Sequence, residues 1–127
     1  MMTRFVLASA VVLSAVVFGA GNRGQSNAPR GILRHTAAFN FKPGVPQETI
    51  DRMLADARAT LPTIEGATNV VIGPQTSSLS KYKYGMSIDF ANKEAKSAYA
   101  RSPQSKRLHE QYKDYVEDET IIDIVNQ

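Results

Sequence analysis

His35 and His109 are the two imidazoles of this 127-residue chain. Imidazole titrates near pH ~6.5, so it can both take and give a proton close to neutrality. His35 sits on the apolar face of an alternating stretch, where a histidine either lines a pocket or is buried with one satisfied hydrogen bond. His109 lies four residues after Ser105, one helical turn on, and so faces the same region as that serine. As an amphipathic edge residue it would be half in water. Tyr82, Tyr84, Tyr99, Tyr112 and Tyr115 add phenols that line an aromatic pocket or serve as core with the hydroxyl at water. His35, Tyr99 and His109 are therefore the candidate catalytic residues. The candidate pocket is wider: His35, Phe39, Tyr84, Tyr99, Ser105, His109 and Tyr112.

Other chemistries find less support. The chain has no cysteine, which removes disulfides, thiolate metal sites and a thiol nucleophile together. With two histidines and no thiolate, the sequence predicts no metal site and no cofactor. Asp114, Glu117, Asp118 and Glu119 form an acidic group that reads as a solvated helix end rather than a cation site. Gly85-Met86-Ser87-Ile88-Asp89 lacks the second glycine and the strand-to-helix turn of a nucleophile elbow. Acidic and basic residues are interleaved from Lys42 onward, leaving no basic stripe, so nucleic acid is not an expected partner.

The elements that must position these side chains alternate. Ile32 to Phe41 has period two, with Leu33, His35, Ala37, Phe39 and Phe41 on one face and Arg34, Thr36 and Asn40 on the other. Pro43-Gly44 ends this strand, and Pro46 suits a first helical position. Ile50, Met53, Leu54, Ala57 and Leu61 then form one helical stripe, stopped by Pro62. Glu65-Gly66 turns into a strand over Ala67 to Ile72, and a polar loop runs from Gly73 to Ser80. Tyr82, Tyr84, Met86, Ile88 and Phe90 share one face of a third strand. Asn92 caps a short helix, and Ser102-Pro103 restarts it with a stripe of Ser105, Leu108, His109, Tyr112, Tyr115 and Val116. Glu119 to Val125 is a last β-branched strand.

The order is β-α-β-β-α-β, an α+β ferredoxin-like domain with helices on one face of an antiparallel sheet. Apolar residues on both faces of the first and last strands call for cover on the other side. A second copy stacked sheet to sheet supplies it, giving a homodimer through the sheet face and a dimeric α+β barrel.

The N-terminus predicts export. Met1 to Arg4 is basic, Phe5 to Ala20 is apolar or small, and Gly19-Ala20-Gly21 precedes a polar stretch, the order of a secretory signal peptide. The apolar run, roughly 16 residues, falls short of the ~20 that span a bilayer comfortably. A cleaved signal over 1–21 is therefore preferred to a membrane anchor, with a linker over 22–31 and the domain over 32–127. The mature protein is expected in the periplasm or secreted, without stable membrane association. The formal charge is +3, and without Arg4 the balance is 14 basic against 12 acidic residues, too even to specify a partner.

Three segments carry a family likeness: the strand Arg34 to Gly44 with its Phe41-Lys42-Pro43 end, the turn Leu61-Pro62-Thr63-Ile64-Glu65-Gly66, and Tyr99 to Ile124 with its closing Ile121-Ile122-Asp123-Ile124. In order and spacing they resemble the Dabb (stress-responsive A/B barrel) family over nearly all of Ile32 to Val125. The resemblance implies a homodimeric barrel with a pocket between helices and sheet in each subunit. In cyclising plant members a strand histidine, a tyrosine and a His-Pro-x-His run perform an aldol condensation on a linear polyketide. His35, Tyr99 and Pro103 match that pattern, whereas Ser102 and Ser105 stand where its two histidines would be. Ser105 replaces the general base, and a hydroxyl cannot accept a proton at neutral pH without a base of its own.

Two functions follow. The first is an exported Dabb homodimer that binds a small apolar or aromatic molecule without catalysis. The second is a polyketide-cyclase-like or monooxygenase-like enzyme of the same fold using His35, His109 and Tyr99.

Overall fold

The computed structural model describes residues 27–127; the expected signal peptide lies outside them. The order is β1 (Leu33–Phe41), α1 (Gln47–Thr60), a 3-10 turn (Leu61–Thr63), β2 (Thr68–Pro74), β3 (Tyr84–Phe90), α2 (Lys93–Arg101), α3 (Pro103–Tyr112), a second 3-10 turn (Lys113–Tyr115) and β4 (Val116–Val125). The four strands form one antiparallel sheet in the order β2-β3-β1-β4, the ferredoxin-like arrangement expected from the element order. None of the described helices is long and apolar enough to cross a membrane.

The register explains which residues meet. Leu33, His35 and Ala37 oppose Phe90, Ile88 and Met86 on β3, and Val125, Asp123 and Ile121 on β4. This face lies under the helices. Its core holds Leu33, Phe39, Ile88 and Phe90 against Ile50, Leu54 and Ala57 of α1 and Tyr99 of α2. Ile88 and Phe90 are fully buried. Phe90 and Tyr99 pack with ring centroids 5.0 Å apart, which fixes α2 to the sheet.

Local chemistry sets the ends of the elements. Gly66 turns into β2 at φ +87°, a conformation that a side chain resists. Asn92 accepts the Ala95 N–H at 2.8 Å, and the Ser102 hydroxyl accepts the Ser105 N–H at 3.2 Å. Ser102 thus ends α2 and caps α3, with Pro103 opening the new helix as expected.

Several boundaries differ from the sequence reading. Pro46 is the extended cap before α1 rather than its first residue, and Pro62 is taken into a 3-10 turn beyond the helix. The missing proline N–H costs nothing at that position. Tyr82 lies before β3, and Tyr115 and Val116 lie beyond α3, so the α3 stripe ends at Tyr112.

The other sheet face is more polar than expected on β1. Arg34 forks onto the buried Asp89 at 2.7 and 2.9 Å, and Asn69 adds a bond to it at 3.0 Å. Asn69 takes φ 49°, which asparagine tolerates better than most side chains. Exposed apolar side chains on this face come instead from Val71 of β2 and from Ile122 and Ile124 of β4.

Candidate functional site

A cavity of about 410 Å³ opens between the helix layer and the sheet. Met53 and Ala57 of α1, with Leu61 just after it, form one wall, and Ile72 and Met86 come from β2 and β3. His35, Ala37 and Phe39 of β1 form the floor. Tyr99 of α2 and Ser105, Leu108, His109 and Tyr112 of α3 close the far side. Lys113 and the β4 residues Val116, Glu117, Asp118 and Glu119 complete the lining.

Six of the seven pocket residues picked from the sequence share this cavity: His35, Phe39, Tyr99, Ser105, His109 and Tyr112. Tyr84 faces a neighbouring cavity with Asn40, Phe41 and Lys83. Its ring stacks on Phe39 at 6.0 Å and meets Phe41 edge-on at 5.0 Å, so it acts as packing behind the floor.

His35 is nearly enclosed, with 9% of its surface exposed, as are Tyr99 and Tyr112 at 8% and 6%. Its Nδ1 lies 2.6 Å from Oδ1 of Asp123, its partner across the β1–β4 ladder. Asp123 also pairs with Lys96 of α2. Burial alone would raise the Asp123 carboxyl, but Lys96 and His35 together hold it below the ordinary carboxylate range. A carboxylate only accepts, so Nδ1 carries the hydrogen. Nε2 has no protein partner and is reached from the cavity. Sequence reasoning missed Asp123 and Lys96. The signal available was a lone carboxylate inside the β-branched run Ile121 to Val125.

The hydroxyl groups differ in freedom. Burial pushes the Tyr99 phenol above its ordinary value, and the neighbouring Ser105 side chain offsets part of that rise. Tyr112 is tied elsewhere: its hydroxyl donates to Oδ2 of Asp56 at 2.9 Å. Burial, then this bond, raises the Tyr112 phenol, while the Arg107 guanidinium holds Asp56 low. Tyr112 thus belongs to a brace between α1 and α3 that includes Arg107 and Thr60. His109 is exposed at the rim.

The mouth is acidic because β4 is irregular there. The β1–β4 register shifts between Ala38 and Asn40, and Asp118 adopts φ 49°. Such a bulge turns successive side chains away from strict alternation, and here Glu117, Asp118 and Glu119 all reach the cavity. The sequence reading left these carboxylates at a solvated helix end; they stand on a strand. Among the described residues no cluster of three His, Cys, Asp or Glu could hold a metal ion.

Comparison with known proteins places this geometry. The model of the family described as Stress responsive A/B Barrel Domain matches residues 33–126. A Dabb family protein of ferredoxin-like fold from Mesorhizobium loti is 29% identical with a TM-score of 0.70, covering 77% of this chain and 99% of its own. A dimeric ferredoxin-like protein of unknown function from Thermobifida fusca is 15% identical with a TM-score of 0.68, covering 80% and 97%. Hydroxynitrile lyase from Passiflora edulis is 14% identical with a TM-score of 0.69, covering 78% and 96%. These last two likenesses concern the fold. No curated protein matches the chain.

Proposed function

The chain belongs to the stress-responsive A/B barrel (Dabb) family, and from that premise we propose that it is an exported homodimer whose cavity binds a small apolar or aromatic molecule rather than turning it over. The observation that carries this reading is the cavity itself. About 410 Å³ is room for a ligand of modest size, and its apolar wall includes Phe39, Met53, Leu61, Ile72, Met86 and Leu108. Ser105 supports binding over turnover, since the position matching the cyclase base holds a hydroxyl. The dimeric relative from Thermobifida fusca supports the homodimer. The basic, apolar and small residues of 1–21 support export to the periplasm or beyond.

Titration with the uncharged fluorophore phenylnaphthylamine tests the pocket. Saturable emission at one probe per subunit is expected, lost when Ser105→Phe fills the cavity. Emission that Ser105→Phe leaves unchanged would overturn the assignment. The mass of the mature protein tests export, with a chain beginning near Asn22 expected.

The Asp123–His35 pair favours a second reading, an enzyme of the cyclase-like or monooxygenase-like type using His35, Tyr99 and His109. An oriented imidazole with one nitrogen open to a cavity is the arrangement of a general base. Turnover of a linear polyketide-like substrate by His35→Ala and His109→Ala variants decides it. Equal rates in both variants and the parent would end the enzyme reading.

A further inference from the structure

We propose that the cavity selects uncharged aromatic molecules bearing a hydroxyl group, phenols in the simplest case, and discriminates against the corresponding carboxylates. The inference rests on the binding-pocket reading and names the class of its ligand.

Three features of the cavity carry it. The first is His35. Its Nδ1–H is committed to Asp123, whose negative charge is already balanced by Lys96. With Nδ1–H so committed, Nε2 is the ring atom left to the cavity, and a bare imidazole nitrogen accepts a hydrogen bond. No protein donor meets it, and it stays open to the cavity in a side chain that is 11% exposed. A ligand hydroxyl supplies that donor. An ether or a hydrocarbon of the same shape does not, and a carboxylate brings a lone pair against a lone pair.

The second feature is the pair of hydroxyls at Tyr99 and Ser105, on the same cavity. Both can donate as well as accept, so they complete the bonding of a phenol oxygen that has already given its proton to His35. Phe39, Met53, Leu61, Ile72, Met86 and Leu108 supply apolar wall that suits a ring. The third feature is the charge at the mouth. Glu117, Asp118 and Glu119 face it with Lys113 as the cation, and Lys113 is already paired with Glu110 at 2.8 Å. An anion entering meets an uncompensated negative rim, whereas a neutral ligand does not.

The test compares para-ethylphenol, para-ethylanisole and para-ethylbenzoate, of nearly one shape, by calorimetry on the intact dimer at neutral pH. The phenol is expected to bind about tenfold more tightly than the anisole, the worth of one hydrogen bond to an enclosed group. The benzoate is expected to be weakest and to gain affinity when Glu117→Gln and Glu119→Gln are combined. His35→Leu should bring the phenol down to the anisole. Phenol and anisole binding equally in the unaltered protein would overturn the proposal while leaving the pocket intact. Benzoate binding tightest would overturn the charge argument. No binding of any of the three, and none of phenylnaphthylamine, would bring down the pocket reading itself.

Discussion

Asp123 holds Nδ1 of His35 at 2.6 Å from the neighbouring strand, and this one contact decides which nitrogen of the ring faces the cavity. Asp123→Ala removes the acceptor that fixes the tautomer. The side chain is one-third exposed, so the fold should survive the change. Ring-nitrogen NMR shifts of His35 should move from a single tautomer to a mixture. Affinity for para-ethylphenol should drop by about tenfold, while para-ethylanisole is unaffected. Unchanged ring shifts would show that Asp123 does not position the ring.

Asp89 gives the fold an acid-sensitive joint. The Arg34 guanidinium holds its carboxyl below the ordinary carboxylate range against the opposing effect of burial, and Asn69 adds to the lowering. Because the folded value is depressed, the unfolded chain binds the proton more tightly in that range. The contribution is therefore fully present above about pH 5 and is lost progressively as pH falls through the unfolded and then the folded value. Asp56 and Asp123 are depressed in the same sense. Urea midpoints should be flat from neutrality to about pH 5 and fall below it. Asp89→Asn should lower the plateau and flatten the acid slope.

The helix caps and the core should separate cleanly in size. Asn92→Ala removes the acceptor for the Ala95 N–H and should cost about 1 kcal/mol. Phe90→Ala empties a fully buried position and should cost about 3–5 kcal/mol. Chemical denaturation of both variants checks the ordering. A cap loss as large as the core loss would mean that α2 does more than rest on Phe90 through Tyr99.

The fold was legible because its signals are local. Period two in Leu33 to Phe41, the caps at Asn92 and Ser102, and the turn at Gly66 each depend on a few adjacent residues. Much of the cavity was legible too, since His35 and Phe39 share a strand face and Ser105, His109 and Tyr112 share a helix face. What could not be read depends on register. His35 and Asp123 are 88 residues apart, and only the β1–β4 pairing makes them neighbours. The acidic mouth depends on a bulge that a two-residue period does not foresee. Likewise, Tyr112 looks free in the sequence, yet Asp56 of another helix engages its hydroxyl.

The last expectation concerns β4. It is an edge strand of the sheet, and it leaves Ile121, Ile122 and Ile124 each more than half exposed. Edge strands with such residues invite pairing unless something covers them. Ile122 and Ile124 point to the sheet face away from the helices, beside the Arg34–Asp89 pair, where a second sheet would rest. Each isoleucine has roughly half its surface left to bury, worth about 1–2 kcal/mol per side chain. Replacing both with lysine in both subunits should then remove about 4 kcal/mol or more, a shift in dimer Kd of at least about a thousandfold. Sedimentation at micromolar concentration should show the parent chain as a dimer and Ile122→Lys/Ile124→Lys as a monomer. Far-UV circular dichroism should show that the variant keeps its sheet. A parent chain that sediments as a monomer would contradict the homodimer, and a variant that stays dimeric would move the interface off this face.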